Sequence, residues 1–110
     1  MLADSVTGDA RGSGVGVGGG VFAGGAGNDL LIGGAGNDRL YGVSGRNALF
    51  GEGGNDTLYA GTSTNYLDGG AGNDRFFAVN GQSDTLQGGS GTDTADHDVG
   101  LDILISIENS

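Results

Sequence analysis

The run Gly24–Tyr41, GGAGNDLLIGGAGNDRLY, is one nine-residue phrase written twice, and it returns as GEGGNDTLY from Gly51 and GGAGNDRFF from Gly69. Worn versions fill the same frame: GVSGRNALF from Gly42, AGTSTNYLD from Ala60, the one-residue-longer AVNGQSDTLQ from Ala78, and GGSGTDTAD from Gly88. Before them, VGVGGGVFA from Val15 keeps the apolar eighth residue but places Gly20 where an aspartate belongs. The eighth position holds Phe22, Leu31, Leu40, Leu49, Leu58, Leu67, Phe76, Leu86 and Ala95, whereas the seventh and ninth are mixed. Three residues with an apolar centre make a very short strand whose middle side chain turns inward. The six glycine-rich residues before it, which need positive φ, make a tight turn. No room remains for a helix. The expected fold is all-β, a flattened right-handed parallel β-roll: a two-sheet solenoid with two strands and two turns per coil of eighteen residues.

Composition says how such a fold must be stabilised. A chain of 110 residues suits one domain. With 35% hydrophobic residues and 27 glycines its core is thin and its unfolded state costly to order. Something besides apolar burial must contribute much of the folding free energy. The net charge of −10, with four arginines and no lysine, argues against a nucleic-acid partner and against anionic membranes. The absence of cysteine excludes disulfides and thiolate metal sites. No stretch has the apolar length of a membrane span, so no membrane insertion is expected, and Met1–Gly14 lacks the basic start and apolar run of a signal peptide. Collagen would need proline, and low-complexity sequence would not hold Leu and Asp at fixed offsets from each glycine pair.

GGAGNDLLI, GGAGNDRLY and GGAGNDRFF resemble the glycine-rich nonapeptides of the RTX family, the calcium-binding β-roll of bacterial type I secreted toxins, proteases, lipases, epimerases and adhesins. The likeness runs from Gly24 to Asp96, and Ser106–Asn109, Ser-Ile-Glu-Asn, is similar to a phrase that often follows such repeats. The resemblance implies calcium ions held between turns two repeats apart, by backbone carbonyls and by the sixth-position aspartates. Calcium takes six to eight oxygens of this kind.

On one edge the implied ligand turns are Gly33, Gly34, Gly36 and Asp38; Gly51, Gly54 and Asp56; Gly69, Gly70, Gly72 and Asp74; and Gly88, Gly89, Gly91 and Asp93. The other edge carries Asp29, Asn47, Asn65 and Asp84, with Arg46 adding a repulsive charge beside Asn47. The expectation is a calcium ladder between residues 38 and 56, 56 and 74, and 74 and 93, with weaker or empty sites on the asparagine edge. Stacked carboxylates about 4.8 Å apart repel by roughly 1 kcal/mol in water and more near a protein surface, so the ladder opposes its own formation without cations. Binding free energy then becomes folding free energy.

The resemblance further implies a non-enzymatic module of a secreted, extracellular bacterial protein. Such a chain stays unfolded at low cytosolic calcium and winds up outside, with an affinity of about 10⁻⁴ to 10⁻³ M. The alternative is an extracellular polysaccharide-binding module, as in alginate epimerases, or a face for a neighbouring domain. Its residues would be the ninth-position row Tyr41, Tyr59 and Phe77 with Arg39 and Arg75; cross-strand stiffening explains that row as well. The string Gly14-Val-Gly-Val-Gly-Gly19 has no strand–loop–helix setting for a dinucleotide. His97, the single histidine, lacks a nucleophile and reads as a surface residue. Asn55-Asp-Thr57 is formally a glycosylation acceptor, but its aspartate is assigned to calcium. The chain divides into residues 1–14, a tail and candidate for disorder; 15–96, the roll; and 97–110, a capping segment. In that last segment Leu101, Ile103, Ile105 and Ile107 alternate with Asp102, Leu104, Ser106 and Glu108, a longer strand of period two.

Overall fold

The computed structural model describes residues 5–7, 13–15, 21–24, 27–34, 36–79, 81–98 and 101–108. Twelve strands run in order: β1 (Ser5–Thr7), β2 (Ser13–Val15), β3 (Val21–Ala23), β4 (Leu30–Ile32), β5 (Arg39–Tyr41), β6 (Ala48–Phe50), β7 (Thr57–Tyr59), β8 (Tyr66–Asp68), β9 (Arg75–Ala78), β10 (Thr85–Gln87), β11 (Thr94–His97) and β12 (Ile103–Ile105). They alternate between two parallel sheets, β1-β3-β5-β7-β9-β11 and β12-β10-β8-β6-β4-β2. This is the parallel β-roll. Among the described residues there is no helix, and so none long and apolar enough to cross a membrane.

Register follows the repeat. Leu40 pairs with Leu58, and Leu58 with Phe76, on one sheet; Leu31 pairs with Leu49, and Leu49 with Leu67, on the other. These eighth-position side chains, with Leu86 and Ala95, are shut off from solvent and form the core, joined by Ala60 and Ala78. One apolar side chain per three-residue strand is a small hydrophobic contribution. The extra residue of the Ala78 repeat lengthens the pairing offset by one, Tyr66 to Thr85 and Arg75 to Thr94, and so falls between β9 and β10.

Both ends depart from the sequence-based boundaries. β1 and part of β2 lie inside the segment set apart as a tail, paired in parallel with β3 and β4. Backbone ladder bonds need no motif residues, so a sheet edge can extend past the point where the glycine phrase stops. At the other end the long period-two strand is replaced by the three residues of β12. Leu104 turns toward the core beside Ile107, while Ile103 and Ile105 are 55% and 43% exposed. The reason is register: Leu104 pairs with Leu86 and takes the eighth position. Gly100-Leu-Asp102-Ile-Leu104 keeps the fourth, sixth and eighth residues of the phrase, so the repeat continues past Asp96.

Candidate metal centre

The turns stack on two edges, and each step between coils is clamped by side chains. On the edge with the intact phrase, the N–H groups of Asp38, Asp56 and Asp74 donate to Oδ1 of Asp56, Asp74 and Asp93, at 2.8, 2.7 and 2.8 Å. The preceding asparagines bond in the opposite direction along the roll: Oδ1 of Asn37, Asn55 and Asn73 accepts from the N–H of Asn55, Asn73 and Thr92 at 2.7 to 2.8 Å. One oxygen of each aspartate is thereby used. The second is not: Oδ2 of Asp56, Asp74 and Asp93 is buried and has no hydrogen-bond partner. All three residues are at most 2% exposed.

A buried carboxylate oxygen without a donor is costly. Burial pushes the Asp56 carboxyl up to about 7 and the Asp74 carboxyl up to about 8; neighbouring carboxylates add to the rise, and the backbone N–H bonds partly offset it. Asp93 is raised as well, first by desolvation. Glycine is required beside these oxygens. A Cβ on Gly51 would lie 2.5 Å from Asp56 Oδ2, and one on Gly54, at φ +91°, would run into the Gly36 carbonyl of the coil before.

The opposite edge uses the same first bond. Oδ1 of Asn47, Asn65 and Asp84 accepts from the N–H of Asp29, Asn47 and Asn65 at 2.8, 2.7 and 2.6 Å. The bond to a backbone N–H fixes which side-chain atom is oxygen, so the amide nitrogen occupies the place that Oδ2 takes in aspartate. Asn47 Nδ2 donates to the carbonyls of Gly42, Ser44 and Gly45 at 3.0, 3.1 and 3.2 Å. Asn65 Nδ2 donates to the carbonyls of Thr62 and Ser63, both at 3.1 Å, and to Asp84 Oδ1 of the next coil at 3.3 Å. The amide reveals what surrounds that position: several turn carbonyls and an oxygen of the following coil. An aspartate there presents an oxygen to a ring of oxygens, which is an arrangement for a cation.

The donor set fits calcium. Among the described residues no three acidic, His or Cys side chains converge on one point, so an ion in the stack would take backbone carbonyls along with carboxylates, as calcium does and softer metals do not. The structure brings Asp38, Asp56, Asp74 and Asp93 into one column and Asp29, Asn47, Asn65 and Asp84 into the other.

The chain matches the RTX calcium-binding nonapeptide repeat (4 copies) over residues 16–49, 41–76 and 76–104, more than half its length. The chain belongs to the RTX calcium-binding repeat family. It is a calcium-binding β-roll module. No curated protein and no solved structure matches it.

Two RTX column residues escaped the sequence reading. Asp102 extends the asparagine edge: its Oδ1 accepts from Asp84 N–H at 2.8 Å and its Oδ2 from Asp98 N–H at 2.6 Å. Glu108 extends the aspartate edge, accepting from Asp93 N–H at 2.8 Å. The frame Gly100-x-Asp102-x-Leu104 carried the signal for the first, and nothing in the spacing carried it for the second.

The aromatic row is ordered but turned inward on itself. Tyr41 and Tyr59 stack at 4.4 Å and 4°, Tyr59 and Phe77 at 4.8 Å and 10°, and the Arg75 guanidinium sits 5.5 Å from the Phe77 ring centre. Ring faces used on one another are not platforms for a sugar ring, whereas cross-strand stacking is what stiffens a sheet. His97, in β11 beside Ala78, is half-buried with its Nδ1 buried and unbonded.

Proposed function

We propose that this chain is a calcium-dependent folding module of a protein exported by a type I pathway, non-catalytic, unwound inside the cell and wound by calcium outside it. One observation carries the reading: on one edge, coil after coil, Asp56, Asp74 and Asp93 each bury an oxygen with no hydrogen-bond donor. The folded form without cations keeps desolvated carboxylates in a row, and the core of one side chain per strand is too thin to offset that readily. Calcium between successive aspartates supplies the missing positive charge, and its binding free energy adds directly to stability. Ligands are Asp38, Asp56, Asp74 and Asp93 with the carbonyls of their glycine turns. At the millimolar calcium outside cells the column fills, given an affinity of about 10⁻⁴ to 10⁻³ M.

The test is far-ultraviolet circular dichroism at neutral pH, first in chelator and then with calcium added. Coil in chelator and β structure on saturation is the expected result; an unchanged β spectrum in chelator would rule out the switch.

A further inference from the structure

The aspartate column does not stop at the last glycine phrase. Gly88 N–H donates to the Ile105 carbonyl at 2.9 Å, repeating the bonds of Gly33 to Phe50, Gly51 to Asp68 and Gly69 to Gln87, each at 2.8 Å. Ser106 therefore opens one more turn, stacked on residues 88–93. That turn lacks the nonapeptide's opening glycines and bends early, with Ser106 at φ 55°. Its acidic residue comes third instead of sixth and is a glutamate. The longer side chain makes up the reach: Glu108 Oε1 lies 2.8 Å from Asp93 N, the bond that Asp93 makes to Asp74.

The place beside Asp93 is built like the others. Asp93 is fully buried, and its Oδ2 has no hydrogen-bond partner. Asn65 shows on the opposite edge what lies around such an atom, since its amide nitrogen touches carbonyls of its own turn and Oδ1 of the next coil. At Asp93 the next-coil oxygen is that of Glu108. The two columns differ at this end of the roll. Asp102, the last residue of the asparagine edge, has both oxygens bonded to protein N–H groups, while the column ending in Glu108 holds a buried oxygen that no donor serves.

We propose that Glu108 is a calcium ligand and closes one further cation position, formed with Asp93 Oδ2 and the carbonyls of the 88–93 turn, beyond those between the aspartates. The assignment rests on the calcium reading above. It gives the end of the column two carboxylates for its last ion, and it ties the capping segment to the metal.

Glu108→Gln and Glu108→Asp test it. The first keeps an oxygen for Asp93 N–H and removes the charge; the second keeps the charge and shortens the reach. Bound calcium is counted by equilibrium dialysis and elemental analysis at saturation, beside circular dichroism. Wild type and both variants are expected to fold, with each variant binding one ion fewer. A wild type that binds no calcium overturns the underlying reading and this assignment together. A wild type that binds while the variants keep its ion count overturns the assignment alone. Failure of both variants to fold at saturating calcium also overturns it, because Glu108 is assigned to a single ion.

Discussion

At Asn47 the second side-chain atom is a nitrogen that donates to three turn carbonyls; at Asp56, on the opposite edge, the same place holds a buried oxygen with no donor. Everything else about the two positions is alike: the first oxygen accepts from the coil before, and both residues are at most 4% exposed. A change of one atom separates the turns at Asn47 and Asn65, which complete this hydrogen bonding within the protein, from those at Asp56, Asp74 and Asp93, which leave a buried carboxylate oxygen without a donor. At Asn47 and Asn65 the departure from aspartate puts a donor in place of that oxygen, and the donor bonds the turn carbonyls.

Exchanging that atom is the most direct way to break the comparison. Asn47→Asp should bury an oxygen against the carbonyls of Gly42, Ser44 and Gly45 and cost about 3 kcal/mol at limiting calcium, read as a lower urea midpoint. Asp56→Asn should keep the bond to Asp38 N–H and add amide donors, for a gain of about 1 to 2 kcal/mol under the same conditions, together with fewer ions bound at saturation. If both exchanges leave stability and ion count as in wild type, the two edges are equivalent and the reading fails.

Acid should act through the buried aspartates, and more weakly. The Asp56 and Asp74 carboxyls are raised by burial from 3.8 to about 7 and about 8 in the folded chain. Between those values and the unfolded value the folded chain binds more protons, so metal-free stability is full below pH about 4 and is lost as pH rises through 7 to 8. In chelator, β structure should grow as pH falls from 8 to 4.5, while the calcium needed to fill the sites should increase over the same fall as protons compete for the same oxygens. Asparagine does not titrate, so Asp56→Asn combined with Asp74→Asn should make the profile shallower, with Asp93 and the other buried aspartates left to titrate. A slope of the opposite sign in chelator would contradict the buried-carboxylate account.

Most of this architecture was legible in the sequence because one residue in nine had to be apolar and one turn residue in nine had to be acidic or amide. Leu31 through Ala95 at the eighth position are the core that periodicity indicates, and the two columns follow from counting in eighteens. Three things were not legible, each for a physical reason. β1 and β2 join the sheets through backbone bonds, which leave little trace in side-chain pattern. Leu104 faces inward because Leu86 sets its register, although an alternation of Ile and polar residues suggests the opposite face. Glu108 reaches its column by side-chain length from an irregular turn, and no fixed spacing marks that. The role of Asn47 was hidden differently: its letter names both a possible ligand oxygen and a donor, and only the bond to Asp29 N–H decides which atom faces the carbonyls.

The smallest effect concerns backbone strain on the asparagine edge. In the turn that Asn47 closes, the second residue is Val43, at φ 70°; on the aspartate edge Gly34, Gly70 and Gly89 hold that place at φ 79 to 81°, and Glu52, which is not β-branched, holds it at φ 69°. A β-branched residue in the left-handed region costs on the order of 1 kcal/mol or more. The side chain does little to offset this, being 49% exposed. Val43→Gly should relieve the strain while adding some entropy to the unfolded chain, leaving a net gain of about 0.5 to 1 kcal/mol. Because Val43 lies in a turn whose carbonyls are already bonded to the Asn47 amide, the gain should be equal in chelator at acid pH and in saturating calcium, with the ion count unchanged. Urea midpoints measured in both conditions make the comparison. A gain confined to the calcium-loaded protein would mean that the asparagine edge shares in metal binding, and the division between the edges would have to be redrawn.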